Sequence, residues 1–182
     1  MKWRIPGTVI SIERENADTV EEMFSSMFLA GGMVLSQVAS VTGLEPYAIQ
    51  NWVKRGFLSP PQHKRYSLNQ LCRLIQINML KSVLSLEQIC GLLSYVNGKL
   101  DEESDDIIGD SHLYFLFVRL AARAKELDDP ASLEKALTEA LREYQEPVPG
   151  SKERIEKALR IMLTGWLAAK MRRAAETMLQ EL

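Results

Sequence analysis

The sequence predicts an all-α protein in which a helix-turn-helix domain over residues 33–96 precedes a helical bundle over 111–182. Three observations predict it. Apolar residues recur at helical spacing along almost the whole chain. Ser followed three residues later by Gln opens two segments, a pattern in which each side chain bonds the other residue's backbone N–H at a helix start. Residues 35–66 read as helix, glycine turn, helix and proline-rich loop. The 182 residues are 46% apolar and 25% charged, enough to bury a sizeable core. That balance excludes a disordered tail, a collagen-like repeat and a disulfide-stapled miniprotein.

Residues 1–32 are expected to form an irregular arm, with a short strand around Val9, Ile10 and Ile12, and one helix. Asp18, with Glu21 three residues on, predicts a capped helix over 19–30 that ends at Gly31-Gly32. A helix over Leu35–Val41 follows, then a break at Thr42-Gly43-Leu44, then a short helix from Pro46 to Arg55. Two prolines and a glycine forbid regular helix in the loop 56–66. Ser67 with Gln70, and Ser85 with Gln88, start the next two helices, the second ending at Asn97-Gly98.

Residues 97–110 form an acidic connection carrying Asp101, Glu102, Glu103, Asp105, Asp106 and Asp110. It lacks the alternating ligands and central glycine of a calcium loop, so it reads as solvated chain leading into a helix start. Helices are then expected over 111–127, from Asp129-Pro130 to before Pro147, and from Ser151 to about Glu181. The last would be about 45 Å long at about 1.5 Å per residue. On it Leu163, Leu167, Met171, Ala174, Met178 and Leu182 step by four, four, three, four and four, which drifts from a heptad. This helix either packs across the two before it or forms a dimer interface.

The formal net charge of −2, averaged over the chain, speaks against nucleic acid, but the charges are unevenly placed. Residues 33–99 hold seven Lys and Arg against two acids, a net +5, and the rest of the chain holds −7. A partner responds to the local field, not the mean. In the short helix Ile49, Trp52 and Val53 share an apolar face, while Tyr47, Gln50, Asn51 and Lys54 share the opposite one. Gln and Asn can bond adenine through two contacts, and Lys can reach guanine or phosphate. The second helix of a helix-turn-helix offers its N-terminal residues to base edges in the major groove. Arg55 adds a cation at its end. The run His63-Lys64-Arg65-Tyr66 reads as a wing whose Lys64 and Arg65 lie against phosphates. Tyr66 either donates its hydroxyl to a phosphate or packs its ring beneath the wing. The DNA-facing candidates are therefore Tyr47, Gln50, Asn51, Lys54, Arg55, Lys64, Arg65 and Tyr66.

Leu35-Ser36-Gln37-Val38-Ala39, Gly56-Phe57-Leu58-Ser59-Pro60-Pro61, Arg65-Tyr66-Ser67-Leu68 and Ser85-Leu86-Glu87-Gln88-Ile89 resemble, in order and spacing, the winged helix-turn-helix of MerR-type regulators. Tyr47-Ala48-Ile49-Gln50-Asn51-Trp52 stands where members of that family usually carry two arginines. Over Gly32 through Val118 the chain also resembles a bacterial family known as domain of unknown function 1836, whose members are regarded as MerR-like regulators. The MerR-type resemblance implies double-stranded DNA as partner and transcriptional regulation as function; the second resemblance supports the architecture. A single short recognition helix reads few base pairs, so a homodimer on two half-sites is expected.

No phosphate-cradling glycine loop, Gly-x-Ser-x-Gly or Cys/His nucleophile frame is present, so no enzyme and no cofactor are expected. Cys72 and Cys90 lie in apolar helical patterns and read as small buried hydrophobes of a reducing cytosol, without zinc spacing. The N-terminus lacks an apolar leader and no run is long enough to span a bilayer, so a cytoplasmic location and no membrane contact are expected. Met162, Met171 and Met178 with Trp166 read as core in preference to an effector pocket, which leaves any small-molecule effector unspecified. A different class of function fits the same scaffold: a protein-interaction adaptor whose helix-turn-helix does not bind DNA.

Overall fold

The computed structural model describes residues 2–98, 100, 106–124 and 130–182. Lys2–Arg4 (β1) and Ser11–Glu13 (β2) pair as an antiparallel hairpin with Trp3 opposite Ile12. Of the three residues expected in a strand, only Ile12 lies in one; Val9 and Ile10 precede it. A 3-10 turn over Arg14–Thr19 leads into α1 (Val20–Met27). The cap expected at Asp18 is not formed. The chain enters α1 already wound, so the Val20 N–H donates to the Ala17 carbonyl. Asp18 and Glu21 turn instead to Arg119, at 4.0 and 2.5 Å.

Met33–Val34 (β3) pairs antiparallel with Arg65–Tyr66 (β4), Met33 opposite Tyr66 and Val34 opposite Arg65. Gly32 feeds this pairing with φ of 96°, and a Cβ there would approach the Tyr66 carbonyl oxygen to 2.9 Å. Between the two strands run α2 (Leu35–Thr42) and α3 (Pro46–Lys54). The expected break falls at Gly43, whose φ of 68° ends α2 while its N–H donates to the Ala39 carbonyl at 2.8 Å. Pro46 occupies the first turn of α3, where a backbone N–H has no helical partner to lose.

Leu68–Leu80 (α4) and Leu86–Asn97 (α5) start as the serines predict. The Gln70 N–H donates to the Ser67 hydroxyl at 3.2 Å and the Ser67 N–H to the Gln70 side-chain oxygen at 2.8 Å. Ser85 and Gln88 repeat this at 3.2 and 2.9 Å. Asp110–Ala122 (α6), Pro130–Ala140 (α7) and Ser151–Gln180 (α8) complete the helices of the described residues. The cap expected at Asp129, the acids at 101, 102, 103 and 105, and Lys99 lie outside the described residues. α7 ends earlier than the expected stop before Pro147.

Residues Leu71 through Ile77 of α4 are all buried, as a helix must be when other elements surround it. α2, α5, α6 and α8 pack around it. One hydrophobic core runs from Trp3 to Trp166 and includes Phe24, Ile49, Ile75, Tyr114 and Leu159. Both cysteines are free thiols, Cys72 buried and Cys90 half-buried.

α8 corrects the expected stripe. It packs through Ile155, Ala158, Leu159, Met162, Leu163, Trp166 and Ala169, against α4, α5 and α6. Of the predicted row only Leu163 is buried; Leu167 is 37% exposed, Met171 75% and Met178 62%. The buried face is the one that meets α4, α5 and α6, and from Lys170 onward every residue is exposed.

Candidate nucleic-acid interface

α3 divides as its spacing predicts. Ile49 and Trp52 are buried against the core, while Tyr47 is 77% exposed. Gln50 and Lys54 are exposed and Asn51 is half-buried. The Lys81 ammonium sits over the Trp52 ring, 5.6 Å from its centre. The polar face thus stands on a buried base, and no acid lies on it.

Arg55 ends α3 but already has partners within the chain. Its guanidinium meets the Glu87 carboxylate at 3.2 Å and stacks 4.5 Å above the Phe57 ring. A phosphate would have to compete with both.

The following loop returns to the sheet through a tight turn. The Arg65 N–H donates to the Gln62 carbonyl at 2.8 Å, and the two residues between, His63 and Lys64, have φ of 48° and 63°. Two consecutive positive φ values mark the hairpin turn that most often takes Asn-Gly. Here it projects an imidazole and an ammonium, both exposed. The Arg65 side chain donates to the Gly32 carbonyl at 2.9 Å and remains exposed.

Tyr66 is only 3% exposed. Pairing with Met33 turns its ring inward beneath the loop, and burial pushes its phenol above the ordinary value. Of its two expected roles, this burial favours the ring packed beneath the loop.

Two residues hold the loop that sequence reasoning did not assign to the site. The Gln70 amide nitrogen donates to the Ser59 carbonyl at 3.0 Å, to the Ser59 hydroxyl at 3.1 Å and to the Pro60 carbonyl at 3.1 Å. Arg73, 4% exposed, donates from Nε to the Phe57 carbonyl at 3.1 Å and meets Asp110 at 3.4 Å. The signal for Arg73 was present: one charge inside the run Leu71-Cys72-Arg73-Leu74-Ile75 demands a buried partner. Among the described residues no cluster of His, Cys, Asp and Glu suits a metal ion, and no helix is long and apolar enough to cross a membrane.

A family model described as "Domain of unknown function (DUF1836)" matches residues 19–117. The chain belongs to this family. The DUF1836 segment takes in α1 through most of α6, and so contains α3, the loop and both residues that brace it. The chain is similar to the uncharacterized protein YkrK of Bacillus subtilis (strain 168), 30% identical over 109 residues. That alignment covers 58% of this chain and 47% of the relative, so the chain spans about half the relative's length. No solved structure matches.

Proposed function

We propose that this DUF1836 member is a sequence-specific DNA-binding transcriptional regulator built on a MerR-type winged helix-turn-helix at about residues 33–96. The observation that carries the reading is the exposure of Tyr47, Gln50 and Lys54 on a helix whose opposite face, Ile49 and Trp52, is buried. In this reading α3 enters the major groove. Gln50 and Asn51 bond adenine edges, and Lys54 bonds guanine or phosphate. Lys64 at the tip of the turn and Arg65 beside it neutralise phosphates, with the net +5 of residues 33–99 adding long-range attraction. Arg55 contributes through the same field while bound to Glu87. No catalytic step is assigned. Two copies bind a two-half-site operator, joined through the exposed end of α8 that begins at Lys170.

Salt titration tests this. Fluorescence anisotropy with random-sequence duplex is measured from low to moderate salt, for wild type and for Lys54→Ala/Lys64→Ala. Both lysines are exposed, so the variant retains its fold. The wild type is expected to show a steep fall of log affinity with log salt, and the variant a slope shallower by roughly two. Absence of binding at low salt overturns the proposal and favours the adaptor.

A further inference from the structure

Between α3 and the loop lies a cleft of about 560 Å³. Its apolar wall is formed by Val34, Leu35, Val53, Pro61 and Tyr66. The first four of these are half-buried, packed into the body on one side and open on the other. Its polar members are Ser36, Gln50 and Lys64, and none of the described residues lining it is acidic. Gln50 therefore belongs to two surfaces at once: the exposed face of α3 and the edge of this apolar cleft.

We infer that the cleft receives the 5-methyl group of a thymine beside an adenine bonded by Gln50, so that the protein reads A·T pairs. The inference rests on the DNA-binding reading above and gives it a base preference. Adenine N6 and N7 and the thymine methyl lie on the same major-groove edge. A glutamine amide matches the first pair of atoms, and only an apolar surface matches the methyl. A cytosine at the same position carries hydrogen in place of the methyl and leaves the apolar wall uncovered. Lys64, on the turn at the cleft's edge, supplies the cation for a flanking phosphate. A cleft with one cation and no carboxylate suits a phosphodiester-bearing occupant better than a neutral peptide.

Deoxyuridine pairs as thymidine does and lacks only the methyl, so the test changes the DNA and leaves the protein intact. Duplexes are selected from a random-sequence pool with the full chain, and enriched sequences are remade with deoxyuridine at one thymidine at a time. Enrichment of A·T pairs is expected, with one position in each half-site at which loss of the methyl weakens binding about fourfold. The isosteric Val53→Thr is expected to reduce that thymidine-over-deoxyuridine ratio toward one. Circular dichroism checks its fold, and the deoxyuridine scan on wild type stands without it. Equal affinity for both duplexes at every position overturns the inference while leaving DNA binding intact. A ratio unchanged in folded Val53→Thr overturns the cleft as its source. Failure of any duplex to enrich, together with no salt-dependent binding, overturns both readings and leaves a partner protein's apolar side chain as the occupant.

Discussion

Arg73 of α4 and Asp110 of α6 meet at 3.4 Å with their side chains 5% and 14% exposed. Asn97 completes the group by donating to the same carboxylate at 2.8 Å, and Arg73 extends it by holding the Phe57 carbonyl at 3.1 Å. The loop that follows α3 is thereby fixed to the start of α6 through one guanidinium. Removing one partner of a buried pair leaves the other charge uncompensated. Arg73→Met is expected to cost about 3 kcal/mol or more, read from the shift of the urea unfolding midpoint. A loss under about 1 kcal/mol would show that Asp110 is satisfied without Arg73.

Gln70 and Gln88 occupy the same position in identical caps, yet only Gln70 also reaches the loop. Substitution of either by Ala removes the back-bond to the serine N–H. Gln70→Ala also strands acceptors at Ser59 and Pro60. With about 1 kcal/mol net per hydrogen bond, Gln70→Ala is expected to destabilise by about 1 kcal/mol more than Gln88→Ala. Parallel urea titrations of the two variants check the difference. Equal losses would remove Gln70 from the brace.

The turn at His63 and Lys64 places two L-residues in the left-handed region, at φ of 48° and 63°. That conformation costs ordinary residues about 1–2 kcal/mol each and is cheaper for Asn. His63→Asn is expected to raise stability by about 0.5 kcal/mol and to leave DNA affinity unchanged, because Lys64 remains. His63→Asn/Lys64→Gly is expected to be more stable still, by about 1 kcal/mol, and to bind duplex more weakly. Thermal melts and anisotropy on the same samples separate the two effects. A double variant that gains stability and keeps full affinity would remove Lys64 from the interface.

Alkaline pH reaches two groups in the core. Burial pushes the Cys72 thiol well above its ordinary value, with the Asp110 and Glu21 charges adding to it. Burial does the same to the Tyr114 phenol, whose hydroxyl donates to the Pro6 carbonyl at 2.8 Å. Both groups stay protonated in the fold at pH values where the unfolded chain releases the proton. Their contribution is complete below the unfolded thiol value of about 8.5, and falls as pH rises through it and then through about 10 for the phenol. The urea midpoint is expected to be level from about pH 7 to 8 and to decline above about 8.5, less steeply in Cys72→Ala. An identical decline in wild type and Cys72→Ala would exclude the thiol as a cause.

How much of this was legible in the sequence depends on the reach of each interaction. The serine caps at 67 and 85, the break at Gly43 and the two faces of α3 were all readable, because each rests on groups within four residues of one another. The tight turn before β4 was visible only as a loop. Its positive φ values accompany the bond from the Arg65 N–H to the Gln62 carbonyl that closes the turn, with no glycine or asparagine at the tip.

The sequence by itself determined where α4 and α5 begin, where α2 stops and which side of α3 is polar, since capping and periodicity are local physics. Only the tertiary structure decided that Tyr66 lies inside, because its pairing partner Met33 is distant in the chain. It alone decided which row of α8 is buried, because α4, α5 and α6, which cover that row, come from elsewhere in the chain. It alone joined Val34, Val53 and Pro61 into one cleft beside Gln50. Side chains from a strand, a helix and a loop meet there only once the core beneath them has closed.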